Sequence, residues 1–176
     1  MKKLFLSLFL TGVIFSAYAQ RFAFVDSQYI LAKIPEYRTA QDELNQLSLQ
    51  WQKEIEAKYS EIDQLYKAYK ADEVLLTAEM KQKRQSEIET KEQAVKDLQK
   101  QHFGVNGDLF KKRQELVKPL QDKIYNAVQD LAQKENLAII FDKSSDMTML
   151  YSSPKYDKSD EVLKAMGYSP EGTKIK

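Results

Sequence analysis

From Ser27 to about Glu135 the chain is a run of Gln, Glu, Lys, Ala and Leu, with a lone Pro35 near its start. Straight-chain residues of this kind lose little rotamer freedom in a helix, so the composition predicts helix over roughly a hundred residues. Five glycines and four prolines in 176 residues also leave little punctuation for the many turns of an all-β fold.

Apolar residues within this run recur at helical spacing. On the outgoing half Leu44, Leu47, Trp51, Ile55, Tyr59, Ile62, Leu65 and Tyr69 form one stripe. On the return half Ile88, Val95, His102, Leu109 and Leu116 are spaced by sevens, with Leu98, Val105 and Leu120 beside them, as in a coiled-coil seam. Ala71 to Thr77 interrupts the pattern, and a threonine there can accept an orphan helix amide, so the tip of an antiparallel hairpin is placed near 71–77. One bent helix is the alternative. An arm of about 35 to 45 residues would be roughly 55 to 65 Å long.

Short strands are predicted on either side of the helical run. RFAFVD (Arg21 to Asp26) precedes it; LAIIFD (Leu137 to Asp142) and MTMLY (Met147 to Tyr151) follow it, around a Lys-Ser-Ser-Asp turn. Asp157 to Met166 reads as a closing helix, with Asp157 or Ser159 as cap and Gly167 at its C-terminal stop. The expected fold is therefore mainly α with a small β body made of 20–35 and 136–176, carrying a long antiparallel helical hairpin, 36–135. So few strands make too small a sheet to be stable alone, which implies that the base assembles with other subunits.

Residues 1–19 read as a secretory signal. Lys2 and Lys3 precede an apolar stretch, Leu4 to Phe15, and Ala17-Tyr18-Ala19 has the small-x-small form cut by signal peptidase, giving cleavage between Ala19 and Gln20. An apolar run of about 12 to 15 residues is short of the roughly 20 that span a bilayer. The expected product is exported. Its lack of cysteine excludes a disulfide scaffold and a zinc ribbon, and one histidine makes a His-based metal site or triad improbable. No catalytic residue, cofactor or metal is expected. The net charge of +1 turns slightly negative once Lys2 and Lys3 leave, so no global basic field recruits nucleic acid.

The ordered set FAFVDSQYILAKIPEYRTAQDEL, the helical run, Gly107 with KKRQEL, Lys118-Pro119-Leu120, Ile140-Phe141-Asp142 and the final short helix resembles the Skp/OmpH family of periplasmic chaperones across nearly all of the chain beyond its leader. The resemblance implies a homotrimer with a β-rich trimerisation base, from which three hairpin tentacles surround a cavity. It further implies an ATP-independent periplasmic holdase whose partners are unfolded outer-membrane β-barrel proteins. Two departures stand out. The better-known members are strongly basic, so membrane-surface contact is expected to be weak here. The Asp-Leu-Thr that often starts their last helix is Asp157-Lys158-Ser159, which preserves the capping oxygens.

Within that frame, Tyr66, Tyr69, Val74, Leu75, Leu76 and Met80 cluster near the tip and are the candidate client-binding surface, the alternative being that Tyr69 and Met80 staple the two arms. Phe22, Phe24, Val25, Ile139, Ile140, Phe141, Met149 and Leu150 are the candidate oligomerisation residues of the body. Gly104 and Gly107 are candidates for arm flexibility, and His102 beside them is either a pH-sensitive kink or a tolerated polar seam residue. Asp26 and Asp142, each ending a strand, read as caps rather than as an acid–base pair, and Lys143-Ser144-Ser145 as a turn. Lys111-Lys112-Arg113 and Lys81, Lys83 and Arg84 read as solvated faces diluted by Glu79, Glu87 and Asp108. A structural coiled-coil envelope protein without clients, and an accessory subunit with one dedicated partner, share most of these features.

Overall fold

The computed structural model describes residues 21–145 and 149–175. The expected leader and its Ala19/Gln20 cleavage site lie outside them. The described chain is mainly helical with one small sheet, and it divides into two compact units: 21–30 with 124–175, and 31–123.

In the first unit, β1 (Phe22–Val25) pairs in parallel with β2 (Ile139–Asp142), in the register Phe22↔Ile139 to Val25↔Asp142. Parallel strands cannot be joined by a tight turn, which suits two strands separated by more than a hundred residues of helix. Ala23, Phe24 and Val25 are buried, and the Lys158 amide donates to the Phe24 carbonyl at 2.9 Å, closing the outer edge of β1. Val162 and Leu163, on the closing helix Ser159–Ala165, are fully buried. That helix stops at Gly167, where φ is +84° and a side chain would be strained, as its position in the sequence implied.

The third predicted strand is not there. Met149 to Tyr151 form no strand, and Met147 lies outside the described residues. Among the described residues they pair with neither β1 nor β2 and run directly into the turn Pro154–Tyr156, whose proline cannot donate to a ladder; Leu150 is 95% and Tyr151 83% exposed.

The N-terminal helix α1 (Ser27–Lys33) leads to Ile34, which is extended as a residue before proline prefers to be; Pro35 then starts α2 (Pro35–Asp72) at a position where its missing N–H costs nothing. α3 (Ala78–Phe103) begins on Thr77, whose Oγ1 accepts from the Met80 amide at 3.3 Å, as the sequence suggested. α2 and α3 lie antiparallel. Ile55, Ile62 and Tyr69 pack with Ile88 and Val95 into one cluster. Glu61 pairs with Lys91 at 2.8 Å and Tyr69 with Gln85 at 2.9 Å, so numbers fall along one helix as they rise along the other. Spacing by sevens on both helices keeps the two seams facing each other. Tyr59, expected in the stripe, is exposed on the flank of this narrower seam.

The return seam does not run on through Leu109 and Leu116. Residues 104–107 leave the helix, and α4 (Asp108–Glu135) buries Leu120, as expected, but with Val117, Ile124, Ala127 and Leu131, of which Val117, Ile124 and Leu131 lie one residue out of phase with the expected sevens. The non-helical link resets the phase, and Val105, expected near the seam, is 97% exposed. The link is tight. A Cβ on Gly104 would strike the Lys100 carbonyl, and one on Gly107 would lie 2.7 Å from the Gln101 oxygen and 2.9 Å from those of His102 and Gly104. Gly107→Ala is therefore expected to destabilise the protein by about 1–3 kcal/mol, the usual cost of overpacking. Urea unfolding followed by circular dichroism checks this; an unchanged midpoint would contradict the close approach.

Candidate functional site

The five residues between α2 and α3 leave apolar side chains in water. Val74 is 92% and Leu75 85% exposed, and Tyr66 and Met80 are half exposed. Tyr69 and Leu76, also singled out in the sequence, are placed differently. Tyr69 is buried with its hydroxyl accepting from Gln85 Nε2, and Leu76 packs against the Ile55–Val95 cluster. Lys70 sits near the Tyr66 and Tyr69 rings, 5.8 and 5.7 Å from their centroids, and pairs with Glu73 at 3.1 Å. That pairing raises the Lys70 pKa and lowers that of Glu73, through the hydrogen bond first and the opposite charge second. The surface that remains is Tyr66, Val74, Leu75 and Met80: aliphatic and aromatic, without convergent polar groups, and suited to non-directional contact.

In the sheet unit the eight apolar residues assigned to assembly divide in two. Phe24 and Val25 are core; Phe22, Ile139 and Leu150 are exposed, and Ile140, Phe141 and Met149 are partly covered. Phe22 stacks on Tyr156 at 5.0 Å between ring centroids. A groove of about 270 Å³ runs along this face, lined by Phe22, Phe24, Phe141, Met149, Tyr151 and Tyr156. Tyr151 ended an expected strand but was not among the assembly candidates, and Tyr156 fell on no predicted element; the packing of the irregular stretch 149–156 brings both to the face.

The two strand-end carboxylates act as caps. Asp26 Oδ1 accepts from the Tyr29 amide at 2.8 Å, at the start of α1. Asp142 accepts from the Ser27 hydroxyl at 2.6 Å, the Ser27 amide at 3.1 Å and the Ser144 amide at 3.0 Å, tying the end of β2 to the start of α1 and to the Lys143-Ser144-Ser145 turn. Burial pushes the Asp142 pKa up, but the hydrogen bonds from Ser27 and Ser144 outweigh it and hold the carboxyl below its ordinary range. Among the described residues no three His, Cys, Asp or Glu side chains are grouped so as to hold a metal.

In the helical unit, His102 is buried with its ring stacked on Trp51, 4.4 Å between centroids and 4° between planes, and its Nδ1 lies 2.9 Å from Asp108 Oδ2. Phe103 meets Trp51 edge-on at 6.1 Å. The seam placement of His102 was visible in the sequence. Its two partners were not, because Asp108 reaches it only through the link.

Comparison with known proteins bears on these surfaces. Residues 21–166 match the family described as "Outer membrane protein (OmpH-like)". An uncharacterized protein of Aquifex aeolicus (strain VF5) is 32% identical over 167 residues, covering 94% of this chain and 96% of its own. A crystal structure from Caulobacter crescentus CB15, described as an OmpH-like outer membrane chaperone, superposes with a TM-score of 0.66 over 86% of each chain, at 13% identity, and so shares the fold. No helix among the described residues is long and apolar enough to cross a membrane.

The Asp142 cap gives a pH signature. A carboxyl whose folded pKa is depressed stabilises the fold fully above its unfolded value of about 3.9, and that contribution is lost as pH falls through the lower folded value. Asp142→Asn is expected to cost about 1.5–3 kcal/mol at neutral pH, the worth of hydrogen bonds to a charged group, and to reduce the loss of stability on acidification below about pH 4. Melting curves of both proteins from pH 7 to pH 3 check this; parallel pH dependences would contradict it.

Proposed function

Since the chain belongs to the OmpH-like family, we propose that it is an ATP-independent holdase of the periplasm that keeps unfolded outer-membrane β-barrel proteins from aggregating. The proposal assigns no catalytic residue and no cofactor. The observation that carries it beyond family membership is the exposure of Val74 and Leu75 between two helices that otherwise bury one clean seam.

A barrel strand outside its membrane alternates apolar with polar side chains and has unpaired edges, so separate chains pair and precipitate. Protection needs many weak contacts with no fixed geometry, because clients differ in sequence and must later be released. Tyr66, Val74, Leu75 and Met80 have that character. In this reading the helix pair is a coiled-coil hairpin arm, the sheet unit is the base, and three copies assemble so that their arms enclose one client. Support for assembly comes from the apolar face around Phe22, Ile139 and Leu150, and from β2, whose second edge bears no strand among the described residues. An open edge of this kind is a template for another chain. Contact with a membrane surface is weak in this account, because the net charge is close to zero.

The test is dilution of a urea-denatured barrel protein into buffer with and without the chaperone, followed by light scattering. Wild-type protein is expected to suppress scattering at a stoichiometric ratio of trimer to client, and Val74→Ser with Leu75→Ser to weaken suppression several-fold at unchanged helicity. Failure of the wild type to suppress scattering would reject the holdase; equal activity of the variant would reject these residues as the contact. An envelope protein that only scaffolds would give the first of those results.

A further inference from the structure

We propose that Trp51, His102 and Asp108 form a latch across the 104–107 link, which holds the start of α4 at a set angle to α3 while closed and frees the link to act as a hinge when the His102 ring leaves its place. The main-chain bonds of the link run from the Gly104 amide to the Lys100 carbonyl at 2.8 Å, from the Gly107 amide to the Gly104 carbonyl at 2.8 Å and from the Lys111 amide to the Gly107 carbonyl at 3.0 Å; none of these reaches from α3 to α4, and Asn106 sits in the left-handed region at φ 61°. Side chains supply the rest. His102 Nδ1 and Gln101 Nε2 both reach one oxygen, Asp108 Oδ2, at 2.9 and 3.3 Å, so a single carboxylate on the first residue of α4 takes both ties from α3.

The same imidazole is stacked on Trp51 of α2, so one buried ring is bound to three helices. Lys111 lies 3.8 Å from Asp108 Oδ1, and α2 presents the uncharged indole. Glu43 of α2 also pairs with Lys112 of α4 at 3.2 Å, a partly exposed contact that contributes little. Sharp changes of helix direction arise at breaks of this kind, and a hinge is a few terminal residues that absorb the change in φ and ψ. Gly104 and Gly107 are then close-packed when the latch is shut and permissive once it opens. If the helix pair encloses clients, the latch sets how far it swings; that consequence rests on the chaperone reading, whereas the latch does not.

The chain has no cysteine and one tryptophan, which makes the test direct. Nitroxide labels on Ser86→Cys in α3 and Gln114→Cys in α4 report the angle across the link by pulsed dipolar spectroscopy, with the full chain and no client present. The wild type is expected to give one narrow distance distribution. Asp108→Ala and His102→Phe, the second of which keeps an aromatic ring on Trp51, are each expected to broaden it at least twofold with helicity unchanged. Trp51 emission is expected to shift in Asp108→Ala as the ring stack loosens. Distributions that superpose on the wild type in both variants, with Trp51 emission unmoved, would overturn the latch whatever the outcome of the aggregation assay.

Discussion

Two antiparallel helices can bury one stripe each against the other, and the seam of Ile55, Ile62 and Tyr69 with Ile88 and Val95 is such a pair of stripes. Outside that seam much of each helix faces water, apart from contacts such as the buried His102 ring on Trp51. That exposure makes surface contact the readiest interaction of the helical unit. It also explains the polar composition of α2 and α3, whose charged residues pair at the surface, as Glu61 does with Lys91. Exposed pairs of this sort contribute little to stability, so the apolar seam carries it.

The sheet unit is held by a different economy. Two four-residue strands make a small ladder, and much of its definition comes from polar ties at the strand ends. Asp142 gathers Ser27 and Ser144, while Ser159 Oγ accepts from the Asp26 amide at 2.9 Å and donates to Asp157 at 2.6 Å. The cap expected at Asp157 or Ser159 falls instead on Lys158, whose side chain makes no capping bond; Asp157 Oδ1 accepts from the Ser159 amide at 3.0 Å, and the Ser159 hydroxyl serves the strand end rather than the helix. The unit leaves Phe22, Ile139, Leu150 and Tyr151 exposed.

Much of the helical architecture was legible because it depends on local periodicity and local caps: the seam positions of α2 and α3, the Thr77 cap and the Gly167 stop all follow from spacing and residue type. The break at 104–107 was legible as two glycines, but its effect on phase was not, since nothing local says that Val117 rather than Leu116 will be buried. The strand expected at Met147 to Tyr151 had suitable composition, yet its described part, Met149 to Tyr151, pairs with neither β1 nor β2 and leads into the Pro154–Tyr156 turn. Of the client-contact candidates, Val74 and Leu75 follow from position alone. Tyr69 and Leu76 carry the same apolar character yet face the seam, a distinction that rests on helix phase for Tyr69 and on the path of the connection for Leu76.

The central claim is that this chain works as an assembly that holds one unfolded chain among its helix pairs. Native mass spectrometry of the protein freed of residues 1–19, mixed with one denatured barrel protein, measures that claim most directly. The account expects three copies alone and three copies with one client. Single copies, or a mixture in which the client is carried by one chain, would contradict it.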